Sequence, residues 1–365
     1  MTSMRSCGAA VLLLLGVLLA PLPVAAQSLR QIPGCDGQWT NPQANPRLER
    51  NFPDPFVLRI EDGWLAYSTT SGGRNVQVAC SPDLESWADA RADGSPSQWR
   101  DAMPVSPLWS VGGGAPRPAD VWAPEVMRIG GRYVMYFSAR HATLRQGDRP
   151  VLRQCLGAAV SNRPDGPFKP EPAPLACEGY PHGLIDPSPF RDADGRLYLL
   201  FKTDGNCCDV PTRIVIQPLA VDGLSLTGAP ADLLLSDRDT WELGVAEAPT
   251  LVRRGAGYVL LYSGGHFGHG TYAVGHARCA SLASRCEKRG PFLSTSTAGA
   301  NVVGPGHQAL TEKEGRSYIV YHAHGACAHG PESTPERFLY VDRLDWGGDA
   351  PRLPAPSAGK AFTYC

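Results

Sequence analysis

NFPDPFVLRIEDGWLAYS, residues 51–68, sets an aspartate between two prolines, then a short apolar run, a glycine turn and a second run rich in aromatic residues. The same order returns in WAPEVMRIGGRYVMYFS (122–138), IDPSPFRDADGRLYLLF (185–201), EAPTLVRRGAGYVLLYS (247–263) and GPGHQALTEKEGRSYIVYH (304–322). An acidic or histidine residue within two places of proline or glycine leads each copy: Asp54, Glu125, Asp186, Glu247 and His307. The leaders are separated by 71, 61, 61 and 60 residues. A near-constant interval is the mark of a repeat architecture, because chance punctuation of strands has no reason to keep a period.

Each copy continues beyond its first hairpin. Val76–Ala79, Leu156–Val160, Ile214–Ile216, Tyr272–Val274 and Phe338–Val341 read as further short strands. They are runs of β-branched and aromatic residues bounded by Gly, Pro, Asn and Asp. Gly63, Gly131, Gly195, Gly257 and Gly315 fall at the first tight turn of each copy, where glycine allows a positive φ. No amphipathic helix of useful length follows the N-terminal segment, and the 34 Pro and 40 Gly are spread along the chain. Three or four strands in each of five units predict an all-β fold, a five-bladed β-propeller, with each unit delivering its leader to a shared channel. The segment near Cys35 and the residues near Cys365 are expected to meet where the ring closes, with a disulfide between them as a staple.

Arg5, the apolar run Ala9–Ala20 and Val24-Ala25-Ala26 form a signal peptide over residues 1–26. The run is too short to span a bilayer, and no later stretch approaches a span. Residues 27–365 read as a single catalytic domain, soluble and monomeric, secreted to the extracellular space or the periplasm. A net charge of -1 with no basic stripe excludes nucleic acid as a natural partner. Of 11 Cys, all but Cys7 lie after the signal peptide, an even set suited to disulfides in an oxidising compartment. Cys279 and Cys286 are expected to pair across CASLASRC, whereas the neighbours Cys207 and Cys208 are expected to reach elsewhere. No paired CxxC motifs at zinc spacing occur.

Two carboxyl groups flanking a scissile bond are what glycoside hydrolysis needs: an acid for the leaving oxygen and a base for water. A channel lined by Asp54, Asp186 and Glu247 offers two such groups and a third to tune them. NFPDPF, WAPEV, IDPSPF, EAPTL and GPGHQ, in this order, resemble the marker segments of glycoside hydrolase family 43, and the resemblance covers essentially the whole mature chain. It implies Asp54 as general base, Glu247 as general acid, and Asp186 as the carboxylate that orients the acid and modulates its pKa. Two close carboxyls cannot both ionise cheaply, so the expectation is a raised pKa on Glu247. The family inverts configuration, which requires the base and the acid to stand roughly 6.5 to 9.5 Å apart.

Trp122, ahead of the second leader, offers an apolar face for sugar stacking in the pocket, with blade core as the alternative. The resemblance implies a sugar-binding role for Arg337 and a position for His307 near a water-mediated calcium ion in the central channel. GPGHQ departs there from the GPGHN of arabinanases. No cofactor is required for the chemistry. His266 and His269 in HFGHG, and His322 and His324 in YHAHG, lack neighbouring Cys or Asp in a ligand pattern and read as loop or pocket lining. Glu125 reads as channel lining. The substrate implied is a plant cell-wall oligo- or polysaccharide carrying pentoses, arabinan or arabinoxylan ahead of β-xylosides, since the β-sandwich of many xylosidases of the family does not follow the fifth unit. A sugar-binding propeller without catalysis is the alternative class, one that has no need of all three acids.

Overall fold

In the computed structural model the described residues are 28–37, 39–40, 45–114, 120–143, 145–146, 149–150, 153–177, 179–180, 182–324 and 336–360. The proposed signal peptide, Cys327 and Cys365 lie outside them. Five four-stranded antiparallel meanders form five blades of a β-propeller. Blade 1 comprises Phe56–Ile60, Gly63–Ser68, Gln77–Ser81 and Ala88–Asp89, and blade 2 comprises Val121–Ile129, Arg132–Arg140, Gln154–Ser161 and Lys169–Pro170. Blade 3 is Leu184–Arg191, Leu197–Thr203, Arg213–Pro218 and Ala231–Leu235. Blade 4 is Ala246–Arg254, Gly257–Gly264, Ala273–Cys279 and Glu287–Leu293, and blade 5 is Val303–Lys313, Arg316–His324, Phe338–Gly347 and Ala350–Arg352. The only described helical segments are the 3₁₀ turns Leu29–Gln31 and Asn206–Cys208.

The second strand of each blade is apolar almost throughout because both of its faces are covered. Met135 and Phe137 pack toward blade 1, whereas Val134 and Tyr136 pack toward blade 3. Likewise Leu260 and Tyr262 face blade 3, and Val259 and Leu261 face blade 5. Strand side chains alternate between faces, so one run such as YVMYF or YVLLY feeds two separate cores. One apolar cluster fills each of the five blade interfaces.

Ring closure differs from the expected staple. Residues 45–52 run along the third strand of blade 5, through Asn45 paired with Val341 N–H and C=O, Arg47 N–H to Leu339 C=O at 2.7 Å and Phe52 N–H to Arg337 C=O at 2.7 Å. Gly359 pairs alongside Asn45, so the two ends do meet at the blade 5–blade 1 seam. Cys35, however, bonds to Cys80 inside blade 1 rather than to the C-terminus. Cys155–Cys177 and the expected Cys279–Cys286 also pair, and Cys208 is disulfide-bonded.

Two of the turn glycines serve another purpose than the one expected. Gly131, Gly195 and Gly315 do have positive φ, but Gly63 and Gly257 do not. Those two open the second strands of blades 1 and 4, where a Cβ would stand 2.4 Å from Ser81 O and 2.7 Å from Cys279 O. Close approach of the neighbouring strand, not turn conformation, requires glycine there.

Candidate active site

The polar leaders are not one structural position repeated. In blades 2 to 5 the pairing between first and second strands skips two residues: between Trp122 and Glu125, Ile185 and Ser188, Glu247 and Thr250, and Gly306 and Ala309. The first residue of each skipped pair has positive φ, namely Ala123 (47°), Asp186 (55°), Ala248 (50°) and His307 (51°), and Asp54 (54°) takes the same conformation ahead of blade 1. Proline follows in four of the five, which suits a bulge because no ladder N–H is needed there and the preceding residue is kept out of the helical region. Asp54, Asp186 and His307 are therefore equivalent. Glu247 sits one place earlier, where blade 2 carries Trp122, and Glu125 two places later. The near-equal sequence intervals mixed three positions, and the register of the sequence reading is corrected accordingly.

Left-handed backbone at non-glycine residues is costly and persists only where the surroundings hold it. Here the preceding blade does so. The N–H of Asp54 donates to His322 Nδ1 at 3.0 Å, that of Ala123 to Thr69 Oγ1 at 2.9 Å, that of Ala248 to Asp186 Oδ2 at 2.9 Å and that of His307 to Ser263 Oγ at 2.8 Å. In blades 1, 2, 4 and 5 the bulge residue is thereby tied to the preceding blade.

A cavity of about 780 Å³ opens at this end of the ring, and Asp54, Asp186, Glu247, Trp122, Arg337 and His307 all line it. Every proposed site residue is thus brought to one place. Glu125 is not on the cavity wall; it turns to Ser188 of blade 3, and burial raises its pKa well above the usual carboxylate range. His266 and Phe267 form part of the rim, His324 bonds to the carbonyl of Phe267 at 2.8 Å, and His322 lies beneath Asp54. Burial lowers the His322 pKa to about 3, consistent with an imidazole that accepts the Asp54 N–H.

Asp54 accepts from Arg337 Nη1 at 2.7 Å through one oxygen and from the Thr69 hydroxyl at 2.5 Å through the other. Arg337 is itself held by its N–H to Asn51 Oδ1 at 3.0 Å and by the ring of Phe267 at 5.0 Å. Burial pushes the Asp54 carboxyl up, but Arg337 and the neighbouring histidines outweigh it and hold the group well below its ordinary value.

On the opposite wall Glu247 accepts from Lys202 Nζ at 2.6 Å and from the Tyr272 hydroxyl at 2.8 Å, one at each oxygen. Burial opposes ionisation there too, yet the Lys202 charge and these two hydrogen bonds pull the Glu247 pKa down. Asp186 goes the other way: burial, with the charges of Glu247 and Asp54 added, raises it to about 6 despite His307 and Lys202. This order reverses the expectation of a raised Glu247. Its cause is Lys202, which the sequence reading did not single out. The available signal was a lysine at the end of LYLLFKT, a strand that is otherwise apolar or hydroxylic and wholly buried.

The surroundings of His307 do not fit direct calcium ligation. Its Nδ1 is 3.3 Å from Asp54 Oδ1, a carboxylate already neutralised by Arg337, whereas calcium requires several oxygen ligands. Among the described residues no three His, Cys, Asp or Glu side chains are grouped to hold a metal ion.

Comparison with known proteins agrees with the five-bladed fold. The family model for glycosyl hydrolases family 43 matches residues 43–351. The xylosidase/arabinosidase 43A of Humicola insolens is 40% identical over 81 residues, a match that spans 22% of this chain and 21% of that relative. An extracellular exo-α-(1→5)-L-arabinofuranosidase of Streptomyces chartreusis is 27% identical over 313 residues, 82% of this chain and 88% of the relative. The crystal structure of a thermostable family-43 glycoside hydrolase superposes with a TM-score of 0.68 at 24% identity, over 88% of this chain and 98% of that one. The likeness extends over the five blades.

Proposed function

The chain belongs to glycosyl hydrolases family 43, and from that premise we propose that it is an inverting hydrolase of plant cell-wall pentosans that cleaves α-L-arabinofuranosyl linkages. The observation that carries this reading is the meeting of three buried carboxyls from blades 1, 3 and 4 around one cavity. Asp54, kept ionised by Arg337, takes a proton from the attacking water as its oxygen bonds to the anomeric carbon. Glu247 delivers a proton to the departing glycosidic oxygen. Asp186 and Glu247 titrate as one coupled pair, and the proton retained by that pair at mildly acidic pH is the one spent on the leaving group. Trp122 and Arg337 bind the sugar, with the indole offering an apolar face. No step runs through an ion.

The relatives' names support a pentose substrate: one is an arabinofuranosidase over most of its length and another a xylosidase/arabinosidase over a short stretch. The second keeps β-xylosidase activity as the other reading within the class. Export is part of the proposal, with residues 1–26 as leader and 27–365 as one catalytic unit. The disulfides Cys35–Cys80, Cys155–Cys177 and Cys279–Cys286 suit an oxidising compartment. No helix among the described residues is long and apolar enough to cross a membrane.

The test is product analysis on linear arabinan, arabinoxylan and xylo-oligosaccharides, with the first-formed anomer followed by NMR. Arabinose released with inverted configuration is expected. Release of xylose alone would transfer the assignment to β-xylosidase, and retention of configuration would remove the base role from Asp54.

A further inference from the structure

Lys202 is a fully buried cation for which the three-carboxylate scheme has no use. Its side chain is 0% exposed, at the inner end of the second strand of blade 3 and on the wall of the active-site cavity. The ammonium donates to Glu247 Oε2 at 2.6 Å and to Asn206 Oδ1 at 3.0 Å, and stands 3.6 Å from Asp204 Oδ1. A lysine is expensive to bury without partners, and here two of the three are a carboxylate and an amide set by the loop that follows its own strand. Tyr272 occupies the remaining oxygen of Glu247. Glu247 is thereby fixed in rotation, with a protein donor on each oxygen.

Resting on the assignment of Glu247 as proton donor, we infer that Lys202 is a positioning residue for the hydrolysis, one that aims the Glu247 carboxyl into the cavity and sets the upper pH limit of activity. The charged and titratable groups around it define the sign. Glu247 and Asp204 touch the ammonium, and Asp186 faces it from the first strand of blade 3. Tyr272 and His307 act on Glu247 from blades 4 and 5, and Asp54 acts on Asp186 across the cavity. A positive charge within contact of one member of a coupled carboxyl pair makes every proton on the pair leave at lower pH. Asp204, being negative, works in the opposite sense.

The experiment is the pH dependence of kcat/KM on the shortest natural oligosaccharide cleaved, for wild type, Lys202→Met, Lys202→Arg, Asp204→Asn and Glu247→Gln. In Lys202→Met the alkaline limb moves up by about one pH unit or more, the size expected when a contacting opposite charge is lost, while the maximal kcat falls because the carboxyl is no longer aimed. Lys202→Arg leaves the limb near the wild-type position. Asp204→Asn moves the limb down. A uniform loss in Lys202→Met at every pH, with the limb unmoved, overturns the inference and leaves a structural lysine. Should Lys202→Met give no cooperative thermal transition, Asp204→Asn decides alone, since that side chain is partly exposed: a limb moved down supports the inference and an unmoved one overturns it. Full activity of Glu247→Gln is a different result, one that sinks the assignment of the proton donor itself.

Discussion

The wall built by blades 5 and 1 and the wall built by blades 3 and 4 both present a buried carboxylate against a cation, yet they hold protons differently. Asp54 has Arg337 and two imidazoles for company and a hydroxyl on its second oxygen, with no second carboxyl in contact. Arg337 balances its charge, and the His322 imidazole, which accepts the Asp54 N–H, adds none. On the other wall one lysine serves Glu247 with Asp204 in reach, and Asp186 adds a third carboxyl from the adjacent strand. There the positive charge falls short, so a proton is retained. The same bulge geometry brings both walls to the cavity, and the count of cations against carboxyls decides which side is fit to accept a proton and which to hold one.

The largest expected effect comes from emptying either wall of its function. Asp54→Asn and Glu247→Gln should each lower kcat/KM on a natural oligosaccharide by about 10²- to 10⁴-fold, the range for a lost general base or acid. The comparison predicts a difference between them. On an aryl glycoside whose leaving group needs little protonation, Glu247→Gln should recover most of its rate and Asp54→Asn should not. The reverse pattern would exchange the roles of the two walls.

A smaller effect sharpens the first wall. Arg337→Met leaves Asp54 without its closest cation, so the acid limb of kcat/KM should move to higher pH, and the loss of a charge-assisted contact should cost about 10- to 100-fold in rate. In the wild type the two limbs should lie on either side of a mildly acidic optimum. The lower one falls below the ordinary aspartate value because Asp54 is held down, and the upper one falls near the value of about 6 at which Asp186 gives up the pair's last proton. An optimum above neutral pH, measured on a natural oligosaccharide, contradicts this ordering of the walls.

Much of the ring was legible before the structure. Runs such as YVMYF and YVLLY report strands covered on both faces, and five of them at a regular interval report five blades. The three acids and their convergence were legible through the segments around them. The bulge was not, because nothing in Asp-Pro or Ala-Pro alone says that the residue before proline takes a positive φ; strand pairing shows it, and only then does the one-place offset of proline separate Glu247 from Asp186. Lys202 was not legible either. Its partner is 45 residues away on the next blade, and which carboxyl a lysine meets depends on register between blades. Without Lys202 the charge order of Asp186 and Glu247 came out reversed. Cys35 failed as a seam staple for a similar reason: residues 45–52 close the ring with backbone hydrogen bonds, which leaves that cysteine free to bond within blade 1.

The smallest effect concerns stability, and it tests the second wall without substrate. Asp186 is raised to about 6 in the folded protein from an ordinary value of 3.8. A group raised in this way contributes stability that is fully present below its unfolded pKa and is lost as pH rises through its folded pKa, because the fold prefers the neutral form. Asp186→Asn keeps an uncharged acceptor for the Ala248 N–H at every pH, so it should escape that loss. Relative to wild type, the variant should gain about 1 to 3 kcal/mol of unfolding free energy between about pH 3.5 and pH 8, at about 1.36 kcal/mol for each pH unit that separates the folded and unfolded pKa values. Asp54→Asn should show the opposite trend, since a depressed carboxyl stabilises above its unfolded pKa and loses that contribution as pH falls. Thermal or urea unfolding reads the contrast, for the Asp186 variant between about pH 3.5 and pH 8 and for the Asp54 variant between about pH 6 and pH 2, since a depressed carboxyl loses its contribution only below its unfolded pKa. Parallel pH trends in the two variants would mean that the walls do not differ in how they hold protons, and the division of base and acid between them would lose its physical ground.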